Sequence, residues 1–255
     1  MNVTELGGGN DGIPVVFLHG IGGDGRNWRP QMEALADTYR VLAIDSRGFG
    51  ESQMAGEDLA LEDYADDIAR TLDAVGIDRA HFVGLSMGGM ITQALALNHP
   101  NIVASVVLAD TSSASDETVA TNLAASGQAA LTIGMAAVSE MFMPATFCAA
   151  AIAEDREYYR EFVEAFCATN PDAFNAGLQA IAGLNFTDRL PEIAVPALVI
   201  VGSDDMLLPV VHSETIAAAI PGATLAVLDG AGHMANLDSE AEFTQLLINF
   251  LEQAA

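Results

Sequence analysis

The chain has 255 residues and a mass of 26.6 kDa, enough for one large α/β domain with an insertion and too short for two unrelated full-size domains. Half of the residues (51%) are apolar and 17% are charged, which argues against a disordered chain. Acidic residues outnumber basic ones 35 to 9, the formal charge is −26, and every basic residue is an arginine. With so few cations to displace counterions, binding to nucleic-acid phosphates or to an anionic membrane surface is not expected.

The two cysteines, Cys148 and Cys167, form no CxxC and fit neither a disulfide framework nor a zinc site, so no metal is expected. Met1 to Asn10 shows no basic stretch followed by an apolar run, and no apolar run is long enough to span a bilayer. A soluble, cytoplasmic protein is expected. The acid excess reads either as compositional bias or as adaptation to salt, which would appear as lost stability at low ionic strength.

Along the chain, short apolar runs alternate with helical patterns. Ile13 to Leu18, Arg40 to Asp45, Ala80 to Leu85 and Ile102 to Ala109 read as strands, and so do Pro196 to Val201 and Ala223 to Leu228. Continuous apolar runs of this length suit a parallel sheet covered on both faces. Between them, Leu61, Ala65, Ile68, Leu72 and Val75 form a helical stripe that Gly76 ends. Met87 to Asn98 is a second helical run. A last helix starts at Ser239, with Glu242 completing a capping box and Phe243, Leu246, Leu247 and Phe250 forming its stripe. The alternation means an α/β fold with a mainly parallel sheet. It fails over residues 111–188, which are rich in Ala, Met and Phe and read as a helical cap inserted into a core of 1–110 and 189–255.

Gly84-Leu85-Ser86-Met87-Gly88 is a G-x-S-x-G between an apolar strand and a helical run, the setting in which the motif has meaning. A serine on so tight a turn needs small neighbours at minus two and plus two. The turn lifts the hydroxyl above the sheet beside a helix N-terminus, whose N–H groups suit an oxyanion. His19-Gly20-Ile21-Gly22-Gly23 follows the first predicted strand, and its flexible loop can aim the Ile21 N–H at the same point as the Met87 N–H. The loop lacks the G-x-G-x-x-G spacing of a dinucleotide site. His19 reads as a ring that ties this loop down.

A serine needs a base to become a nucleophile. His233, in Gly230-Ala231-Gly232-His233-Met234, follows the last predicted strand, where α/β active sites form. His81 begins a strand and reads as structural, His99 at a helix end as a cap of its carbonyls, and His212 as part of a surface helix. The base needs an acid to orient it. Asp205 ranks first, ahead of Asp204 beside it and Asp110 at the end of another strand. Adjacent residues on a turn point in different directions, so one of the pair should reach His233.

With FLHGIGGDGRNW, IDSRGFGES, VGLSMGGM, VGSDDMLLP and GAGHMANLD in this order, the chain resembles the α/β-hydrolase superfamily over nearly its whole length. Within it, the chain looks most like 3-oxoadipate enol-lactonases and related small carboxylesterases and C–C bond hydrolases. The resemblance implies Ser86 as nucleophile, His233 as base and Asp205 as its acid. It also implies oxyanion donors at Ile21 and Met87, a structural Arg47, and no cofactor. Enol-lactonases of this type carry an Arg-Trp pair in the cap for the substrate's carboxylate; the matching place here reads Glu140-Met141. Met135, Met141, Phe142, Met143 and Phe147 suit an apolar acyl group, or else pack the cap. Met141 and Phe142 are the candidate substrate contacts there, and Trp28 either walls the pocket or packs the core.

The expectation is therefore a serine hydrolase that cleaves a small-molecule carboxylic ester or lactone through an acyl-enzyme. Its rivals are a cofactor-free C–C hydrolase of a vinylogous diketone and a non-catalytic small-molecule receptor on the same fold. Haloperoxidase activity would be a side reaction of the same acyl-enzyme. Dehalogenases and epoxide hydrolases carry Asp where this chain has Ser86.

Overall fold

A computed structural model describes residues 1–8, 12–54 and 59–254. Its centre is a seven-stranded sheet of β1 (Val3–Leu6), β2 (Val15–Leu18), β3 (Val41–Ile44), β4 (Ala80–Leu85), β5 (Val103–Ala109), β6 (Ala197–Gly202) and β7 (Thr224–Leu228). Their spatial order is β1-β3-β2-β4-β5-β6-β7. All pairs are parallel except β1 with β3. Six strands coincide with the apolar runs to within a residue or two. The seventh, β1, escapes sequence reading because Val-Thr-Glu-Leu is a half-exposed edge strand with two outward polar residues and no apolar run.

Every residue of β2 to β6 is buried, as a sheet covered on both faces requires. The covering helices of the core are α1 (Arg29–Leu35), α2 (Leu61–Ala74) and α3 (Met87–Asn98). In α2 the predicted stripe packs inward through Leu61, Ala65, Ile68 and Leu72, joined by Tyr64. Val75 lies past the helix end and is exposed, and Gly76 follows at φ 71°. A second covering element is the residue run of α3, buried from Met87 to Leu97.

Between β5 and β6 the chain forms five consecutive helices: α4 (Glu117–Ile133), α5 (Met135–Thr146), α6 (Ala149–Ala153), α7 (Glu157–Ala168) and α8 (Pro171–Ala182). The two ends of this helical insertion are stitched together. Ser115 N–H donates to the Leu184 carbonyl at 2.9 Å, and Phe186 N–H to that of Ser113 at 2.7 Å. The chain then runs through α9 (Val211–Ala219) and a short α10 (Ala235–Asp238) into α11 (Glu240–Ala254). The Ser239 carbonyl accepts the Phe243 N–H at 2.9 Å, so the last helix starts one residue beyond the predicted position. Among the described residues no helix is long and apolar enough to cross a membrane.

Strand β4 meets the helix behind it main chain to main chain. Its Gly84 and the Gly88 on α3 let strand and helix touch: a Cβ at Gly84 would lie 2.2 Å from the Gly88 carbonyl oxygen, and one at Gly88 2.1 Å from the Leu18 oxygen. Gly88→Ala should therefore lower stability by about 1–3 kcal/mol. Gly12→Ala, with open space around it, should leave the thermal midpoint nearly unchanged in the same calorimetric series.

His81 on β4 is buried, with Nδ1 2.7 Å from Ser105 Oγ. Burial, helped by the Arg79 charge, pushes its pKa down to about 4 from 6.5. Its ring is thus neutral in the fold but takes a proton in the unfolded chain below pH 6.5. It contributes stability above that pH, and the contribution is lost as pH falls from 6.5 towards 4, to the extent of about 2 kcal/mol. His81→Asn should flatten denaturant-derived stability across this window relative to wild type; an unchanged slope would contradict the account.

Candidate active site

The C-terminal ends of the parallel strands share one edge of the sheet, and the chemistry-bearing side chains collect there. His19 follows β2, Ser86 follows β4, Asp110 follows β5, Asp205 lies just past β6 and His233 just past β7. Ser86 sits at φ 53°, ψ −118°, a backbone that side chains rarely adopt. Its N–H donates to the Ala109 carbonyl at 2.9 Å. Its carbonyl accepts the Thr111 hydroxyl at 2.8 Å and the Met90 N–H at 3.1 Å. The strained residue is thereby fixed on both sides by the end of β5 and by α3.

His233 is 4% exposed and its Nδ1 lies 2.7 Å from Asp205 Oδ2. The other carboxylate oxygen of Asp205 accepts the N–H groups of Leu207 and Leu208 at 2.8 and 2.9 Å. Three donors thus fix the carboxylate, which in turn fixes the imidazole and leaves its Nε2 free for other chemistry. Asp204 turns outward to Ser203 Oγ. Asp110 is fully buried and accepts the Gly202 N–H at 2.8 Å. Burial and the neighbouring Asp205 charge push its carboxyl well above the usual carboxylate range. Of the three candidate acids, Asp205 is the one hydrogen-bonded to His233.

Ile21 lines the same cavity as Ser86 and His233. Met87 is the first residue of α3, so its N–H has no acceptor within the helix. His19 ties the Gly-rich loop at two points: Nδ1 lies 2.7 Å from the Gly20 carbonyl, and Nε2 accepts the Ser46 N–H at 2.9 Å. Those two bonds require the neutral ring with its proton on Nδ1. Arg47 pairs with Asp67 at 2.5 Å, away from the cavity.

The predicted substrate contacts divide. Phe142 lines the cavity, its ring 5.8 Å from those of Phe166 and Phe174. Trp28 does not: it is fully buried between Phe17 and Phe243, at centroid distances of 5.0 and 5.9 Å. A large apolar ring next to the sheet gains more by filling the core than by walling a cavity. Met141 does not line it either; on the outer side of α5 it is 58% exposed. Met135, Met143 and Phe147 are buried in packing. His99 does not cap a helix carbonyl through its ring, because Asp66 lies 2.7 Å from Nε2 and offers a charged acceptor.

Two contributions were not anticipated. The Thr111 hydroxyl bond to Ser86 has only its position just past a strand as a sequence signal. His212, near the start of α9, lines the cavity with Leu207 and Leu208.

The model for the alpha/beta hydrolase fold matches residues 13–240. A putative carbamate hydrolase RutD from a Caulobacter species is 32% identical, over 98% of this chain and 96% of that protein. Among solved structures, an enol-lactonase from Burkholderia xenovorans has a TM-score of 0.93 at 30% identity, over 98% of this chain and 96% of that one. A thermophilic esterase from Thermogutta terrifontis also has a TM-score of 0.93, at 28% identity over 99% and 93%.

Proposed function

Since this chain belongs to the alpha/beta hydrolase fold family, and so is a hydrolase, we propose that it cleaves a carboxylic ester or lactone through an acyl-enzyme on Ser86. The observation that carries the proposal is the shared cavity. Ser86, on its strained turn, and His233, held through Nδ1 by Asp205, line one pocket. The helical insertion α4 to α8 acts as the cap of that pocket, over residues 111–188.

Ser86 Oγ attacks the substrate carbonyl while His233 Nε2 takes its proton. The N–H groups of Ile21 and Met87 receive the developing oxyanion, each such donor contributing about 3 kcal/mol of barrier lowering. Collapse of the tetrahedral intermediate expels the alkoxide, which takes the proton from His233. Water, deprotonated by the same imidazole, then attacks the acyl-Ser86 ester, and the acid leaves with Oγ reprotonated. Asp205 holds the ring in the required tautomer throughout.

A carbamate has the same electrophilic carbonyl, and the RutD relative makes it the second class to assay. The acting protein is proposed to be soluble and cytoplasmic, with a small-molecule substrate and neither nucleic acid nor membrane as partner.

With p-nitrophenyl esters from acetate to decanoate and a set of lactones, wild type should turn over at least one class. Ser86→Ala should lower kcat/KM by about 1,000-fold or more with an unchanged thermal midpoint. Retention of a tenth of the activity would rule out Ser86 as nucleophile. No turnover of any ester, lactone or carbamate by folded wild type would favour a C–C hydrolase or a receptor.

A further inference from the structure

The cavity above Ser86 carries no fixed charge. None of the described residues lining it is Asp, Glu or Arg, and the chain has no Lys. Its wall is apolar through such residues as Val119, Leu123, Phe142, Phe162, Leu178 and Leu208. Besides His233, His212 is the one lining side chain able to become cationic.

The arginines are committed elsewhere. Eight of the nine form ion pairs with carboxylates, and the remaining one, Arg79, reaches the Val103 carbonyl at 3.4 Å. None of these partners lines the cavity. None of the eight paired arginines can swing in to meet a substrate anion without abandoning a carboxylate.

What the wall does offer is hydrogen bonding suited to an uncharged group. The Thr146 hydroxyl is spent on the Phe142 carbonyl at 2.8 Å. The Ser115 hydroxyl, on a residue that lines the cavity, is buried without a partner among the described residues. Neutral hydroxyls such as those of Ser112 and Ser115 can satisfy a carbonyl or ether oxygen; without a counter-charge they do not replace the hydration of a carboxylate.

Resting on the acyl-enzyme reading of Ser86, we propose that the substrate is an ester or lactone with an uncharged, mainly apolar acyl group. Acyl groups ending in a carboxylate are excluded by the cavity itself. An anion would enter a site with no counter-charge, inside a protein of net charge −26. The local cost comes from desolvating the carboxylate beside Val119, Leu123 and their neighbours. The long-range cost comes from the protein's field, and salt removes only that part.

The test pairs two esters of equal length, p-nitrophenyl hexanoate and the mono-p-nitrophenyl ester of adipic acid. It is run at about pH 8.5, where imidazoles are ordinarily neutral, in low salt and in about 1 M salt. The hexanoate should be favoured in kcat/KM by about 100-fold or more, and the preference should persist in high salt. Val119 lines the cavity and is 38% exposed, so Val119→Arg should fold and narrow the ratio about tenfold. Equal turnover of the two esters, a preference that vanishes in high salt, or a ratio unmoved in Val119→Arg would each overturn the exclusion while leaving the acyl-enzyme intact. Hydrolysis of neither ester would instead overturn the acyl-enzyme reading beneath it.

Discussion

The left-handed backbone of Ser86 is the constraint around which the molecule is arranged. A residue at φ 53°, ψ −118° is unfavourable by itself, on the order of 1–3 kcal/mol, and persists only if its surroundings leave no alternative. They do so through close approach. Gly84 and Gly88 let the last turn of β4 and the first of α3 meet main chain to main chain, with the Leu18 carbonyl against Gly88. The Ala109 carbonyl and the Thr111 hydroxyl then take both sides of the Ser86 peptide. Adjacent parallel strands β2, β4 and β5 must therefore end at one level, and the same edge receives the loops with Asp205 and His233.

The helical insertion and the His233 loop are tied to each other as well as to the core. Asp238 Oδ2 accepts the Gly232 and Cys148 N–H groups, both at 2.9 Å, and Oδ1 accepts the Tyr158 hydroxyl at 3.0 Å. Met234 N–H adds a bond to the Thr146 carbonyl at 3.2 Å. One carboxylate thus joins the residue preceding the imidazole, the residue at the start of α6, and α7. Burial, with the Asp238 charge beside it, pushes the Tyr158 hydroxyl up to about 12, so this tie keeps its donor at any physiological pH. The pocket walls and the ring of His233 are set by a common set of bonds.

The buried strands and the Ser86 turn were legible because each depends on local chemistry that leaves a local trace: a run of apolar residues, two glycines around a serine, a helix behind it. Asp205 was legible as a choice among three acids, and the hydrogen bond to His233 separates it from Asp204 and Asp110. The inserted helices were legible as helices but not as a wall. Which of Met135, Met141, Phe142 and Phe147 faces the cavity depends on how α5 is rotated against α7 and α8, and no local pattern encodes that. Met141 faces solvent for this reason, whereas Trp28, which the sequence leaves open between pocket wall and core, fills the core. β1 left no trace because an edge strand needs only one apolar face.

The central claim is that Ser86, activated by His233, attacks an acyl carbon. A p-nitrophenyl alkylphosphonate, which mimics the tetrahedral intermediate and bonds irreversibly to an activated serine, tests it most directly. Intact mass and peptide mapping should find one phosphonyl group per chain, on Ser86, with release of one p-nitrophenol and labelling slowed by at least about 100-fold in His233→Ala. Label on another residue, or equal labelling of wild type and His233→Ala, would contradict the account.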